Sequence, residues 1–287
     1  MNKTNDFISL VLAAGQGTRM KSDRPKVLFE LLGRPLLSYP VQAALESGAR
    51  QAVVVVGHER ERVQQALRER FDHRVLVAVQ PEQLGTADAA RSGARAVPDF
   101  EGWFLILYGD CPLVTSQALR ALMQAVLPER GPLAMLTSRL QDPTGYGRIV
   151  RDARGLVSGV REQRDCSEQE SRIREINPGV YAVRAAFFRH AIERIEDTNT
   201  QKELYLTDLV ELAAGAGEIA DIAWDAGDLL GVNDRYELSA CERVLRHRVA
   251  RAHALAGVTV RDPSATYIDA DVVIEPEAVI EPGVHLR

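Results

Sequence analysis

The chain has 287 residues, of which 46% are hydrophobic and 26% charged, values ordinary for a globular protein that exclude disordered and fibrous classes. Its formal net charge of −5 gives nucleic acid no general electrostatic reason to bind, so any phosphate contact has to be local. No apolar run approaches the roughly 18–20 residues needed to cross a bilayer, and residues 1–6 are polar with no signal-like segment behind them, so a cytoplasmic protein without membrane contact is expected.

Residues 7–13 (FISLVLA), 51–56 (QAVVVV), 75–79 (VLVAV) and 103–108 (WFLILY) are short apolar runs and read as strands buried on both faces. Between them, residues 36–46, 59–70 and 87–97 carry apolar side chains at helical spacing with charges opposite. Strands alternating with amphipathic helices predict right-handed crossovers and a Rossmann-like, mostly parallel α/β sheet. After about residue 140 the rhythm changes, and residues 147–150, 155–160 and 179–183 read as strands of an inserted β-rich lid. Asp208 and Glu211 have capping-box spacing, which predicts a helix starting there with Asp208 as its cap. A second helix is expected over residues 234–255, basic around Arg243, Arg246, His247, Arg248 and Arg251, with Val244, Leu245, Val249 and Ala252 as its apolar stripe.

At the C-terminus, Ile268, Ile274, Ile280 and Leu286 recur every six residues, with Val272, Ala278 and Val284 at the same period. This is the pattern of a hexapeptide parallel β-helix. About one and a half coils are present, fewer than such a solenoid normally needs, so the chain reads as truncated. The expected domains are residues 1–233, a nucleotide-binding-type α/β unit; 234–257, a linking helix; and 258–287, the start of a hexapeptide-repeat β-helix.

Residues 12–20 (LAAGQGTRM) follow the first strand directly, placing Gly15 and Gly17 where backbone N–H groups cradle phosphate. The segment lacks the Lys-Ser/Thr of a P-loop and the third glycine of the dinucleotide fingerprint. Arg19 and Lys26 flank the glycine turn and suit the neutralisation of phosphate charge, although a glycine pair can also be an ordinary turn beside solvated cations. Asp110 stands just beyond the strand ending at Tyr108, at the sheet edge where α/β proteins bind ligands. A hard oxygen ligand there suits Mg2+; the competing role, a cap for the next helix, belongs more naturally to Thr115 or Ser116. The three cysteines, Cys111, Cys166 and Cys241, lie far apart without a C-x-x-C pair, which argues against a disulfide framework or a zinc site. The six histidines show no ligand spacing except His247 and His253, which fall on different helix faces.

Taken together, residues 12–20 with Pro25 and Lys26, residues 80–86 (QPEQLGT), 108–110 (YGD), 143–148 (PTGYGR), 175–177 (EIN) and 231–233 (GVN) resemble, in order, the uridyltransferase half of the bifunctional N-acetylglucosamine-1-phosphate uridyltransferase/glucosamine-1-phosphate acetyltransferases. The resemblance runs from about residue 7 to 287. It implies synthesis of UDP-N-acetylglucosamine from UTP and N-acetylglucosamine-1-phosphate with Mg2+ as cofactor. Leu12, Ala13, Ala14, Gly15, Gln80, Gly85 and Thr86 would hold the uridine and phosphates, with the Gln80 amide offering donor and acceptor to uracil. Tyr108 and Gly109 would line the substrate site, Gly147, Glu162 and Asn177 would contact the sugar, and Asp110 with Asn233 would coordinate Mg2+. Arg19, Lys26 and Asp110 would carry the chemistry. Trimers are implied where the β-helix is complete, and no acetyl transfer is expected from this chain. Pro178 departs from the family, which commonly has threonine there, and Cys111 stands where a small apolar residue is usual. Rival readings are a pyrophosphorylase for another nucleotide or sugar, a silent nucleotide-sugar-binding regulatory subunit, and an acyltransferase with this half as scaffold.

Overall fold

A computed structural model describes residues 6–57, 60–126 and 129–287; His58 and the expected helix start at Glu59 lie outside these described residues. The first part runs β1 (Phe7–Leu12), the short hairpin β2 (Glu30–Leu31) and β3 (Arg34–Pro35), α1 (Ser38–Ser47), β4 (Ala52–Val56), α2 (Arg60–Arg68), β5 (Val75–Val79), α3 (Thr86–Arg95), β6 (Trp103–Tyr108) and α4 (Ser116–Ala125). There follow β7 (Leu133–Arg139), β8 (Gly147–Arg151), β9 (Val157–Arg161), α5 (Glu168–Ser171), β10 (Glu175–Asn177), β11 (Tyr181–Arg184), α6 (Ala185–Ala191), α7 (Asp208–Ala214) and β12 (Ala220–Ala223). The C-terminal part holds the long α8 (Arg235–Leu255) and the two-residue strands β13 (Thr259–Val260), β14 (Tyr267–Ile268), β15 (Val279–Ile280) and β16 (His285–Leu286).

One mixed sheet has the order β5-β4-β1-β6-β11-β7-β10-β8-β9, with β12 beside β7. Strands β5, β4, β1 and β6 are parallel, as helical crossovers between them require. From β11 onward the path is antiparallel, and β8, β9 and β10 extend the sheet through β7. Strand β1 explains its own burial. Ile8, Leu10 and Leu12 point into the cluster formed with α3, α6 and α7, whereas Phe7 and Val11 point into the cluster formed with α1 and α4. Apolar residues on both faces are the pattern of a strand covered on both sides.

Four local expectations need correction. The strand expected over residues 179–183 is no part of a lid, because β11 lies between β6 and β7 within the main sheet. Strand β5 is the sheet edge, and Leu76 and Val79 are exposed, so its apolar run is not buried on both faces. Helix α7 does begin at Asp208, but Thr207 precedes it in helical conformation and no side chain caps it. The capping box is instead at α5, where Ser167 accepts from the Glu170 N–H and Glu170 accepts from the Ser167 N–H. On α8 Cys241, Leu245 and Ala250 are buried, Cys241 and Leu245 in one cluster with Leu31, Leu36, Leu113 and Val232, while Val244 and Ala252 are exposed.

Asp234 caps α8 by accepting from the Tyr236 and Glu237 N–H groups, which fixes the preceding Asn233 at the helix entrance. Beyond α8, β13 pairs in parallel with β15 and β14 with β16. Ile268 is buried and lies opposite Leu286, whereas Ile274, Ile280 and Leu286 are half-buried. This segment docks on the first part through polar contacts: the Ala270 N–H donates to Leu32 O, and Asp271 accepts from Arg34 and from Arg70 Nη1 at 2.8 Å. Hydrogen bonds from Arg34 first, then from Arg70, hold the Asp271 carboxyl down at about 2.

Candidate functional site

Parallel strands all end at one edge of a sheet, and their loops gather there. The loops after β1, β5 and β6, with the entrances of α3 and α8, enclose a cleft of about 620 Å³. Its walls include Leu12, Ala13, Ala14, Gly15, Gly17, Arg19, Lys26, Gln80, Gly85, Thr86, Tyr108, Asp110 and Asn233, all of them singled out from the sequence. Tyr108 and Asp110 flank Gly109, which does not line the cleft; a Cβ on Gly109 would come within 2.9 Å of Leu37 and 3.1 Å of Ala13, so its role is close packing.

The glycine loop owes its shape to two positions. Gly17 has φ +63°, and a Cβ there would fall 2.6 Å from the Lys26 Cβ, so the loop lies directly on the lysine stem. Gly85 has φ +124° and lies against the Leu204 backbone at the entrance of α3, where a Cβ would meet Leu204 O at 2.5 Å. Gly15, by contrast, has open space around it, room for a ligand to approach the backbone. Gln83 donates from Nε2 to Ala14 O at 2.6 Å and ties the loop to the β5–α3 connection.

Charge in the cleft is arranged in two linked pairs. Lys26 Nζ donates to Asp110 Oδ2 at 2.5 Å, and Arg19 Nη2 donates to Asn233 Oδ1 at 2.7 Å. The two pairs are tied at the backbone, because the Val232 N–H donates to Asp110 O at 2.8 Å. Asp110 caps no helix: Thr115 accepts from the Ala118 N–H at the start of α4. Asp110 Oδ1 has the Cys111 thiol at 3.6 Å as its contact. Burial, and then the Asp110 charge, push the Cys111 thiol well up, which leaves it a poor nucleophile. Among the described residues no three His, Cys, Asp or Glu side chains form a metal-binding group, and the histidines do not converge. Asp110 and Asn233 thus offer one carboxylate and one amide oxygen in the cleft that the glycine loop lines. That donor set fits Mg2+, which takes few protein oxygens and fills its octahedron with water and phosphate.

Gln80 is buried, and its Nε2 donates both to Gly85 O at 3.1 Å and to Asp88 Oδ2 at 2.8 Å. The amide therefore has its oxygen, not a donor, left to offer, which narrows the two-way reading made from residue type alone.

Gly147, Glu162 and Asn177 lie outside the cleft wall but beside one another. Asn177 on β10 pairs with Gly147 on β8, and a Cβ on Gly147 would lie 3.6 Å from Glu162 Oε1. Asn177 Nδ2 donates to the Tyr181 hydroxyl at 2.6 Å, its Oδ1 accepts from the Gly179 N–H at 3.1 Å, and Glu162 Oε1 accepts from Thr207 Oγ1 at 3.0 Å. Tyr108 joins this cluster to the cleft: its phenol interacts with Thr86 and Glu162, and its ring covers Gly179. Burial raises the Tyr108 phenol well above its ordinary range and also raises the Glu162 carboxyl.

Asp208, beside Glu162, is pushed from 3.8 up to about 6 by burial first and then by Glu211; Arg161 opposes the shift and Asp165 adds to it. A carboxyl raised in the folded state contributes stability that is complete below about 3.8 and lost as pH rises through about 6. Asp208→Asn is therefore expected to raise the thermal midpoint at pH 8, with the gain fading between pH 6 and 4. Equal gains at pH 8 and pH 4 would contradict this account.

The cleft also contains Gln16, Thr18, Val27, Gln83, Ala89 and Glu203, which the sequence did not mark as ligand-facing. Gln83 lies inside the quoted 80–86 motif, but nothing in residue type distinguished it from Gln80. Asp88 left a weak signal, an acid among alanines with Arg91 one turn on.

A glycine loop after the first strand and an aspartate after the fourth parallel strand, both lining one cleft, define the class of nucleoside-triphosphate transferases. The chain belongs to that class by sequence as well: residues 9–203 match the MobA-like NTP transferase domain family. It is similar to the bifunctional protein GlmU of Sorangium cellulosum, 50% identical over 97% of this chain and 60% of that protein. The GlmU proteins of Anaeromyxobacter dehalogenans and Caldanaerobacter subterraneus are 46% and 43% identical, over 97% and 98% of this chain and 57% and 61% of their own lengths. The chain thus spans about 60% of the length of these relatives.

Proposed function

We propose that this chain transfers the uridylyl group of UTP to N-acetylglucosamine-1-phosphate, forming UDP-N-acetylglucosamine and pyrophosphate. The observation that carries the reading is the convergence of the glycine loop, Lys26, Arg19, Asp110 and Asn233 in one cleft of a chain half identical to a GlmU protein. A phosphate oxygen of the sugar phosphate attacks the α-phosphorus in line; a new P–O bond forms, the bond to the bridging oxygen of the β-phosphate breaks, and its electron pair leaves with pyrophosphate. The attacking group is already anionic, so no protein nucleophile is required, consistent with the suppressed Cys111 thiol. The protein has to align two mutually repelling phosphates and offset their charge. Lys26 and Arg19 do so from one side of the loop. Asp110 and Asn233 would hold Mg2+, which when bound supplies further charge neutralisation at the phosphates.

The loop and α3 entrance, Leu12 to Gly15 with Gly85 and Thr86, take the nucleotide, and the Gln80 oxygen accepts from the uracil N3–H. Gly147, Glu162 and Asn177 take the sugar hydroxyls and acetamide from beyond Tyr108. In this reading residues 1–233 form the transferase unit, α8 links it onward, and the parallel pairs within residues 258–287 begin a left-handed β-helix of the trimer-forming kind. Acetyl transfer is not assigned to these residues. The setting is cytoplasmic, where both substrates are available.

The test is a coupled pyrophosphate assay across UTP, dTTP, CTP, ATP and GTP with several sugar-1-phosphates. The highest kcat/KM is expected for UTP with N-acetylglucosamine-1-phosphate. Equal or better turnover of dTTP with glucose-1-phosphate would replace the reading with that of a different pyrophosphorylase, and binding without turnover of any pair would make the chain a regulatory subunit.

A further inference from the structure

The geometry points to Asp88 as a specificity-determining positioning residue: clamped by Arg91, it holds the Gln80 amide with its oxygen towards the nucleobase, so that the cleft selects a ring N–H and rejects cytosine. This inference rests on the uridylyl-transfer reading above.

Asp88 is 6% exposed and sits on the first turn of α3, where its side chain meets that of Gln80 just beyond β5. A buried carboxylate needs partners, and this one has two of different kind. Arg91 Nη2 donates to Oδ1 at 2.5 Å, and Gln80 Nε2 donates to Oδ2 at 2.8 Å. Gln80, 4% exposed, has one further partner, Gly85 O at 3.1 Å. Both neighbours of this amide end are acceptors without a proton to give. The atom facing them has to be the nitrogen, and the oxygen has to face the cleft that Gln80 lines. Uracil and thymine present N3–H to such an oxygen, whereas cytosine presents a bare N3, which would leave two acceptors opposed in a desolvated site.

The order of donors and acceptors runs Arg91, Asp88, Gln80, base, and every member depends on the one before it. A carboxylate can accept at both oxygens, so it serves Arg91 and Gln80 together. A carboxamide at the same position cannot. In Asp88→Asn, Arg91, a donor only, claims the single oxygen of the new amide and turns the NH2 of that amide towards Gln80. Donor then meets donor, or Gln80 turns over and sets its oxygen against Gly85 O; in both cases the cleft-facing acceptor is weakened. Removing Arg91 as well frees the introduced amide to rotate and return its oxygen to Gln80.

The test measures kcat/KM for UTP, CTP and dTTP with N-acetylglucosamine-1-phosphate in the unsubstituted protein, Asp88→Asn, Asp88→Ala and the double variant Asp88→Asn/Arg91→Leu. The UTP/CTP ratio is expected to fall about ten-fold or more in Asp88→Asn, from the loss of a charge-assisted hydrogen bond that orients the reader. The UTP/dTTP ratio should hold, because both bases carry N3–H. Asp88→Ala, which leaves Gln80 only Gly85 O, should fall in the same direction by less, and keeps the test open if Asp88→Asn folds poorly. The double variant should recover most of the UTP/CTP ratio, which a purely structural role for Asp88 would not produce. An unchanged ratio in both single variants, or no recovery in the double variant, overturns the assignment while leaving the uridylyl-transfer reading intact. An unsubstituted protein that does not prefer UTP over CTP overturns the base-reading itself and the Asp88 role with it.

Discussion

Asp110→Ala should lose pyrophosphate release by a factor on the order of 1000 or more, since it removes the carboxylate expected to hold the metal and the counter-charge that aims Lys26. The side chain lies just past β6, where the backbone leaves the sheet, and its position is over-determined. Its carbonyl accepts from Val232 N–H, one oxygen accepts from Lys26 Nζ at 2.5 Å, and the other faces Cys111. Removing it leaves a lysine whose side chain is only 11% exposed without its partner, so some loss of stability is also expected, about 1–3 kcal/mol for an unpaired, partly buried charge. The two losses are separable. Circular dichroism and a thermal melt report the second; turnover at a temperature well below the melt reports the first. A folded Asp110→Ala protein with normal Mg2+-dependent turnover would show that the metal is held elsewhere.

Lys26→Ala should reduce kcat by about 100–1000-fold, the typical effect of deleting one positioned donor to a charge that develops in the transition state. The substitution is clean in structural terms because alanine retains the Cβ on which Gly17 rests, so the glycine loop keeps its support. What is lost is the ammonium at the shared carboxylate. Arginine should be a poor substitute: its planar fork is built for bidentate contact, whereas this site presents a single carboxylate oxygen to a point charge. The effect should appear in kcat more than in KM for UTP, because Arg19 and the loop N–H groups remain to bind the ground-state phosphates. If kcat were preserved and only KM rose, Lys26 would be a binding residue and its role in charge neutralisation would have to pass to Arg19.

The pairing of Lys26 with Asp110 couples these two predictions. Both residues share one hydrogen bond, so their single effects should not add, and the double variant should be little worse than Asp110→Ala alone. The linked Arg19–Asn233 pair is more exposed and should be the weaker contributor, consistent with the small net value of solvent-screened contacts.

Much of this site was legible in the chain before folding, and the reason lies in parallel-sheet geometry. A strand whose apolar run stops at Leu12 and another that stops at Tyr108 place whatever follows them at the same edge, and the β1–β6 pairing then makes the glycine loop and Asp110 neighbours. Gly147, Glu162 and Asn177 were reachable through resemblance alone. Their residue types are common in turns and on surfaces, and only the β8–β10 register with the β9 exit brings them side by side. The exposure of β5 could not be read from Val75 to Val79, because an edge strand half-covered by neighbours carries the same apolar run as a central one. Likewise Asp208 and Glu211 match capping-box spacing, but Thr207 enters in helical conformation and leaves Asp208 inside the first turn, where a side chain cannot serve as the cap.

By itself, then, the sequence determined the alternation of buried strands with amphipathic helices, the position of the glycine loop and of Asp110 at strand ends, and the six-residue rhythm of the last thirty residues. Those features are local: they depend on periodicity and on glycine and aspartate standing next to a strand end. Tertiary structure decided which apolar strand lies at the edge, which face of α8 is buried, how Lys26 reaches Asp110 across 84 positions, and which way the Gln80 amide points. Each of those is set by a partner distant in sequence or on a neighbouring element. The energy of a buried polar group depends on that partner's donors and acceptors, not on the residue's own type.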